Sequence, residues 1–174
     1  MYHHNRISKE TLIVERFRYP LQRVGAYNDK LVLQLNADYL SVLSEQGELV
    51  PQARELLDYL KSRSYRLHII SNGFKEVQFK KMKSAGIENY FEKIILSDEV
   101  GVNKPHPDIF RYALNKTGSS KNTSLMIGDN YDADILGAMR SGLDQVYFNP
   151  LQKQIPDEFP TYEVQTLSEI QDIL

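Results

Sequence analysis

The sequence predicts an α/β protein in which a parallel sheet lies between two layers of helices, and three observations lead to this prediction. From Pro51 onward, short apolar segments of strand length alternate with helical segments, a pattern that is typical of βαβ units. Polar residues cluster directly after several of the apolar segments, where parallel sheets bind their ligands. The 174 residues are enough to bury about 70% of the unfolded surface of one domain.

The beginning of the chain differs from the rest because its patterns are helical only. A first helix is predicted to start at Ser8, and Pro20 lies beyond its end. A second helix is predicted to start near Asn28, with apolar residues at spacings of three and four: Leu31, Leu35, Tyr39 and Val42. We therefore divide the chain into a helical segment, residues 1–47, and an α/β core, residues 48–174.

The strands of the core are predicted from short apolar runs bounded by turn residues. They are expected at residues 67–70, 93–96, 125–127 and 146–148, with a weaker strand at 162–164. Because helices of about ten residues separate most of these runs, the strands are expected to be parallel.

The helices of the core are predicted from their first and last residues. Pro51 and Pro107 each open a helix, since proline fits the first turn. Gly86 and Gly142 each end one, and a closing helix is expected from Ser168. The residues predicted to face inward from these helices include Leu56, Leu60, Phe79, Met82, Ile109, Phe110, Ile135 and Ala138.

Composition excludes several classes of protein. The chain has no cysteine, which excludes disulfide scaffolds, thiolate zinc sites and cysteine nucleophiles. Its net charge of −2, with 21 basic and 23 acidic residues interleaved, argues against a nucleic-acid partner. No run of more than three apolar residues occurs, so neither a membrane span nor a signal peptide is predicted and a cytoplasmic protein is expected.

The densest polar cluster is Gly128-Asp129-Asn130-Tyr131-Asp132-Ala133-Asp134, which follows the run 125–127. Helix capping explains one or two of these carboxylates, most easily Asp132. It does not explain Asp129 at the end of a strand, where one or two carboxylates suit Mg²⁺. An EF-hand does not fit, because Arg140 would occupy the position of the bidentate glutamate.

A second cluster, Ser71-Asn72-Gly73, follows the run 67–70. A hydroxyl followed by backbone N–H groups that lead into a helix can bind an anion, and Gly73 allows a close approach. The simpler alternative is an ordinary helix-capping turn.

The third cluster contains Lys104 between Asn103 and Pro105. Pro105 and Pro107 restrict the chain, so Lys104 is predicted to be held in place and to suit a phosphate or a carboxylate. The alternative is a solvated lysine in a turn. His106 is interpreted as a residue of the turn before the helix and not as a general base.

Taken together, the clusters resemble motifs two, three and four of the haloacid dehalogenase (HAD) superfamily of phosphohydrolases, at Ser71, Lys104 and the Gly128-Asp129 to Asp134 segment. The resemblance is to the branch with a helical cap, and within it to pyrimidine 5′-nucleotidases. It implies a three-layer HAD-like Rossmannoid core with a partial helical cap. It also implies a Mg²⁺-dependent phosphomonoester hydrolase that acts on nucleotides or other small phosphorylated metabolites.

The resemblance also implies roles for particular residues. Asp129 would bind Mg²⁺ directly, and Asp134 would hold either a metal-bound water or Lys104. Lys104 and Ser71, with the N–H groups of Asn72 and Gly73, would bind the phosphate.

The first motif of the family, a strand that ends in Asp-x-Asp-x-Thr and carries the nucleophile, does not occur in this sequence. Three interpretations are open: a fragment or mis-started reading of a longer gene, a non-catalytic relic, or a protein of another class such as a receiver-like phosphate-binding module. Without that central strand, N–H and C=O groups of the two neighbouring strands stay unpaired, and each unpaired group costs about 1–3 kcal/mol of stability. We therefore expect an inactive chain and, between Ile69 and Met126, a gap, a rearranged pairing or a strand inserted from a neighbouring molecule; the oligomeric state is left open.

Overall fold

The computed structural model describes residues 9–155 and 158–174. In chain order its helices and strands are α1 (Lys9–Arg23), α2 (Asp29–Glu45), α3 (Ala53–Ser62), β1 (Leu67–Ser71), α4 (Lys75–Ser84), β2 (Phe91–Leu96), α5 (Ser97–Val100), α6 (Pro107–Thr117), β3 (Leu125–Gly128), α7 (Gly137–Arg140), β4 (Asp144–Phe148) and β5 (Tyr162–Val164). A π-helical segment, Tyr131–Leu136, leads directly into α7. The order confirms the predicted α/β fold.

All strand pairs are parallel, but the strands form two sheets. β1 pairs with β2, and β3, β4 and β5 pair in that order. No pairing joins β1 to β3 among the residues that the structure describes. The gap therefore lies where the sequence predicts it, between Ile69 and Met126.

The two sheets belong to one layer, because the same hydrophobic clusters contain side chains from both. On one face α6 contributes Phe110 to a cluster that includes Ile70 of β1 and Met126 of β3. On the other face α3 contributes Leu60 to a cluster that includes Leu67 of β1 and Leu125 of β3. Helices thus cover both faces, as in the predicted three-layer arrangement.

The helices α1 and α2 lie at the side of the core next to α4. The hydroxyl of Ser84, at the end of α4, donates a hydrogen bond of 2.9 Å to the carbonyl of Glu45, at the end of α2. The division into 1–47 and 48–174 stays a prediction. Within 9–155 and 158–174, no helix is long and apolar enough to cross a membrane.

Several details of the helices differ from the predictions. Pro20 lies inside α1, which continues to Arg23, because a proline removes only its own N–H donor and the next turn can re-form. The predicted cap at Ser8 lies outside the described residues. The closing helix is a 3₁₀ segment, Leu167–Asp172.

The buried faces of α2 and α4 also differ from the predictions. In α2 the buried residues are Val32, Asn36 and Ser44. The predicted apolar stripe lies on another side of the helix, and its residue Val42 is 59% exposed. In α4 Met82 is buried as predicted, but Phe79 is 44% exposed. The buried side of each helix is set by the position of its neighbours, which the pattern of apolar residues does not specify.

Candidate active site

The three polar clusters of the sequence converge on one cavity. It has a volume of about 230 Å³ and lies at the carboxyl ends of β1 and β3, and its lining residues are Ser71, Asn72, Gly73, Lys104, Asn130, Ala133 and Asp134. Such an edge is where parallel sheets bind ligands. Parts of all three clusters, at Ser71 to Gly73, at Lys104 and at Asn130 to Asp134, therefore line one cavity, but Asp129, which we expected to lie there with Ser71 and Lys104, is not among the lining residues.

Lys104 is held in place and is not a solvated residue. It is 8% exposed, and its ammonium donates a hydrogen bond of 2.7 Å to the backbone carbonyl of Ile70. The same nitrogen lies 2.7 Å from Oδ1 of Asp134, which is 6% exposed. This contact is a buried ion pair. Since an ammonium carries three protons, a further donor remains for a ligand in the cavity.

The side chain of Asn72 fixes the backbone of Lys104. Its Nδ2 donates to the Lys104 carbonyl at 3.0 Å, and its Oδ1 accepts from the Lys104 N–H at 2.8 Å. The sequence predicted only a role for the Asn72 N–H group. This contact spans 32 positions, and no local pattern indicates a pair that distant.

The turn between β1 and α4 is compact, and the N–H of Gly73, one of the two predicted phosphate donors, is already engaged within it. The N–H of Gly73 donates to the hydroxyl of Ser71 at 3.0 Å, and α4 begins two residues later at Lys75. A Cβ atom on Gly73 would overlap Nε2 of Gln78, so alanine at this position would require the end of the flexible Gln78 side chain to move. The N-terminus of α4 adds a partial positive charge that favours an anion.

The π-helical segment positions Asp134. The N–H groups of Asp134 and Ile135 both point to the carbonyl of Asn130, at 2.8 and 3.4 Å. Asn130 caps the segment, since its side chain accepts from the N–H of Ala133 at 2.9 Å. Asn130 is the capping residue, and Asp132, for which we expected a capping role, lies in the first turn of the segment, where a carboxylate is favoured by the helix N-terminus.

Close packing against Gly128 completes the placement of Asp134. A Cβ atom on Gly128 would lie 2.5 Å from both Cβ and Oδ2 of Asp134. The other end of the carboxylate is also fixed, because the N–H of Asn130 donates to Oδ2 at 3.2 Å. Asp134 thus holds Lys104, one of the two roles that the resemblance implies for it.

Asp129 does not line the cavity that contains Lys104. It is exposed and borders a neighbouring cavity of about 110 Å³, together with Tyr147 and Lys153. Burial raises the pKa of the Tyr147 phenol, and the negative charges of Glu163 and Asp129 add to the rise. The carboxyl ends of β3 and β4 therefore form a negatively charged region.

The carboxylates of this region would hold Mg²⁺ only together with ligands from outside the chain. Within 9–155 and 158–174, no group of three or more histidine, aspartate or glutamate side chains could hold a metal ion. Mg²⁺ commonly binds one or two carboxylates and completes its shell with water and substrate oxygens. The exposed carboxylate of Asp129 suits that arrangement, and its role as a metal ligand stays a prediction.

The two histidines of the core have no part in the cavity. Nδ1 of His106 accepts from the N–H of Asp108 at 3.3 Å and so caps α6, which confirms the interpretation of His106 as a turn residue. His68 lies in β1, where burial lowers the pKa of its imidazole.

Comparison with known proteins gives relatives that are named nucleotidases and phosphatases. The chain is 33% identical to the pyrimidine 5′-nucleotidase YjjG of Escherichia coli (strain K12), over 81% of this chain and 63% of that protein. It is 31% identical to the pyrimidine 5′-nucleotidase PynA of Streptococcus pneumoniae, over 97% of this chain and 71% of that protein. The chain thus spans about two thirds of the length of these curated relatives.

The structural comparison agrees with the sequence comparison. The crystal structure of the HAD-hydrolase YfnB from Bacillus subtilis bound to magnesium superimposes with a TM-score of 0.87 at 30% identity. The match covers 97% of this chain and 74% of that one. The profile of haloacid dehalogenase-like hydrolases matches residues 10–148. The chain therefore belongs to the haloacid dehalogenase-like hydrolase family.

Proposed function

We propose that this chain forms the phosphate-binding part of a Mg²⁺-dependent phosphomonoester hydrolase. The observation that carries the proposal is the placement of Lys104, a buried ammonium fixed by Ile70 and Asp134 beside the turn at Ser71 to Gly73. A fixed cation and N–H donors at one cavity are what a phosphoryl group requires. Family membership contradicts the interpretation as a protein of another class.

The residues of the chain would act mainly by positioning and by electrostatic stabilisation. Lys104 would donate to a phosphate oxygen with its remaining proton, and the N–H groups at the start of α4 would donate to another. Both groups are held before a ligand arrives, so little reorganisation is needed on binding. Asp134 would keep the ammonium oriented toward the cavity.

Mg²⁺ would bind at Asp129 and neutralise charge on the phosphate oxygens. The negative region at the ends of β3 and β4 supports this placement, because burial and then the charges of Glu163, Asp129 and Asp132 raise the pKa of the Tyr147 phenol. The structure of the relative YfnB was determined with magnesium bound.

The substrate that we propose is a nucleotide or another small phosphorylated metabolite. Two relatives that match most of the chain are named pyrimidine 5′-nucleotidases. A cavity of about 230 Å³ is small for a whole nucleotide, since drug-sized ligands occupy about 300 Å³ or more. The phosphate would therefore occupy the cavity, and the leaving group would lie outside it.

The chain alone is proposed to bind phosphate without hydrolysing it. Asp134 is committed to Lys104 and to the N–H of Asn130. The hydroxyl of Ser71 accepts from Gly73, and no histidine lies among the residues that line the cavity to act as its base. A non-catalytic phosphate-binding relic would have the same geometry, so binding and turnover must be measured separately.

Titration calorimetry with inorganic phosphate and MgCl₂ tests the binding part of the proposal. We expect Lys104→Met to weaken phosphate binding by about tenfold or more, because a charge-assisted hydrogen bond is lost. Lys80→Met is the matched control, since Lys80 is an exposed lysine of α4. Equal affinities for wild type and both variants would contradict a phosphate site at Lys104.

Turnover of p-nitrophenyl phosphate and of a pyrimidine nucleoside 5′-monophosphate tests the inactivity. We expect no Mg²⁺-dependent product from the purified 174-residue chain. Hydrolysis that persists through further purification and disappears in Lys104→Met would contradict the inactivity.

A further inference from the structure

The hydroxyl of Tyr147 is a buried polar group without a partner in the fold. Tyr147 is 3% exposed, and a tyrosine buried to this extent usually has a hydrogen-bond partner for its O–H group. Within residues 9–155 and 158–174 this hydroxyl forms no hydrogen bond. Unlike the imidazole nitrogens of His68, which are sealed from solvent, it is open to the cavity of about 110 Å³ that Tyr147 lines together with Asp129. We call this space the Asp129 cavity.

The ring of Tyr147 is held in place by its neighbours. The Tyr131 ring packs against it edge to face, with 5.7 Å between the ring centroids. Tyr131 is itself fixed, because its hydroxyl donates to the carbonyl of Glu158 at 2.5 Å and accepts from the N–H of the same residue at 3.3 Å. In the β3–β4 ladder Tyr147 lies opposite Gly128, the residue before Asp129. The Tyr147 hydroxyl therefore has a defined position before a ligand binds.

The other polar groups in the wall of the Asp129 cavity are already engaged. Asn149 is 2% exposed, and its Nδ2 donates to Oε1 of Glu163 at 2.7 Å and to the carbonyl of Lys153 at 2.9 Å. Its Oδ1 accepts from the N–H of Lys153 at 2.9 Å. The side-chain oxygens of the cavity that keep no partner within the described chain are those of Asp129 and Tyr147.

The size and chemistry of the Asp129 cavity suit the water shell of a cation. A volume of about 110 Å³ has room for roughly three water molecules. Mg²⁺ that is bound by one or two carboxylates keeps several of its waters. Each of those waters is a strong hydrogen-bond donor, and a phenol oxygen can accept from it.

We propose that Tyr147 is a positioning residue for Mg²⁺ at Asp129, and that its hydroxyl holds one water of the metal's shell by a hydrogen bond. The inference rests on the proposed function, which places Mg²⁺ at Asp129. Groups that hold the first shell of a metal in this way commonly change its affinity by about 10- to 100-fold. The polar clusters of the sequence do not include this residue, because Tyr147 belongs to β4 and Asp129 follows β3.

A titration of the whole chain with MgCl₂, followed by ¹H–¹⁵N NMR, tests the proposal. In the wild type we expect saturable shifts at the amides of Asp129 and Asn130. Tyr147→Phe removes the hydroxyl and keeps the ring that packs on Tyr131, and the Kd for Mg²⁺ should rise about tenfold. Tm should stay the same, since the hydroxyl has no hydrogen bond to lose. Asp129→Asn should abolish the saturable shifts.

The matched control is a tyrosine whose hydroxyl does have a partner. The hydroxyl of Tyr59 donates to the carbonyl of Gln171 at 3.2 Å, on the α3 face of the core. We expect Tyr59→Phe to lower Tm by about 2–4 °C and to leave the Kd for Mg²⁺ unchanged. The same Kd in Tyr147→Phe and in the wild type would overturn the proposal.

A second measurement needs no variant. Mn²⁺ in place of Mg²⁺ broadens the NMR signals of nearby protons, and we expect the ring protons of Tyr147 to broaden together with the amide of Asp129. Broadening at Asp129 that spares the Tyr147 ring would show that the metal lies on another side of the carboxylate, and would overturn the proposal.

The outcomes separate this inference from the proposed function. Mg²⁺ binding that requires Asp129 but not the Tyr147 hydroxyl overturns the inference and leaves the metal placement intact. Mg²⁺ binding that requires both, without phosphate binding at Lys104, supports the role of Tyr147 and contradicts the hydrolase. A wild type without saturable shifts at Asp129 overturns both the metal placement and the role of Tyr147.

Discussion

The ammonium of Lys104 lies 2.7 Å from Oδ1 of Asp134, and one buried ion pair thereby joins the loop before α6 to the segment after β3. Two observations show that the surroundings fix both partners. Asn72 holds the backbone of Lys104 on both its N–H and C=O groups, and Gly128 lies against the Asp134 side chain. The pair is therefore part of the framework as well as of the candidate phosphate site.

Removal of Lys104 should destabilise the fold. Lys104→Met leaves Asp134 as an uncompensated buried charge, and we expect the free energy of unfolding to fall by about 3–5 kcal/mol. The double variant Lys104→Met, Asp134→Leu should recover most of this loss, because apolar side chains replace the whole pair. Urea titrations monitored by circular dichroism measure both values.

The control for this prediction is an ion pair of similar type at the surface. Lys116 pairs with Glu99, and its side chain is 31% exposed. Lys116→Met should therefore cost no more than about 1 kcal/mol. A loss in Lys104→Met as small as the loss in Lys116→Met would show that the Lys104 ion pair is not a structural element.

Asn72 should act on phosphate binding through Lys104. Asn72→Ala removes both hydrogen bonds to the Lys104 backbone, and we expect phosphate affinity to fall about tenfold. Exchange of the Lys104 amide should become faster in the same variant, which a general loss of stability would not confine to that amide. Unchanged exchange at Lys104 would separate Asn72 from the position of the lysine.

Gly128→Ala should displace Asp134. The new Cβ atom would lie 2.5 Å from two atoms of a side chain that is held by Lys104 and Asn130, and overpacking of this kind costs about 1–3 kcal/mol. Gly73→Ala should cost less, because its Cβ atom meets the end of the flexible Gln78 side chain. Thermal unfolding of the two variants compares them, and the reverse order of stability would contradict the assignment.

His68 should make the protein less stable in mild acid. Burial lowers the pKa of its imidazole below the ordinary value of 6.5, so the unfolded chain takes up a proton that the folded chain does not. Its contribution to stability is complete above pH 6.5 and is lost as the pH falls below that value. His68→Leu removes this contribution. Its urea midpoint should therefore change less than that of the wild type between pH 7.5 and pH 5.5, two conditions that lie about one unit to either side of the ordinary histidine pKa.

The wild type provides the reference for the histidine test. Other groups of the chain also titrate between these two conditions, so the informative quantity is the difference between wild type and His68→Leu. Parallel pH profiles of the two proteins would show that the environment of His68 does not favour the neutral imidazole.

The sequence predicted the candidate site better than it predicted the helix faces. Ser71, Lys104 and Asp134 could be assigned because each follows or precedes a recognisable strand or helix start, and the topology of a parallel sheet brings those points to one edge. The apolar stripe through Val42 was not a guide to packing, because α4 contacts a different side of α2. Phe79 is exposed for a similar reason, because the elements next to α4 lie on another of its sides.

The interactions that the sequence did not predict are those between distant positions. The hydrogen bonds of Asn72 with Lys104 span 32 positions. Asparagine is compatible with many turns and caps, so its identity alone does not select one partner.

A titration with inorganic phosphate and MgCl₂, followed by ¹H–¹⁵N NMR, measures whether Ser71 to Gly73, Lys104 and Asp134 form one phosphate site. We expect saturable shifts with one common Kd at the amides of Asn72, Gly73 and Lys104 and at those of Asn130 and Asp134, and the loss of all of them in Lys104→Met. Shifts confined to one side of the cavity, or shifts that are unchanged in Lys104→Met, would contradict a single site.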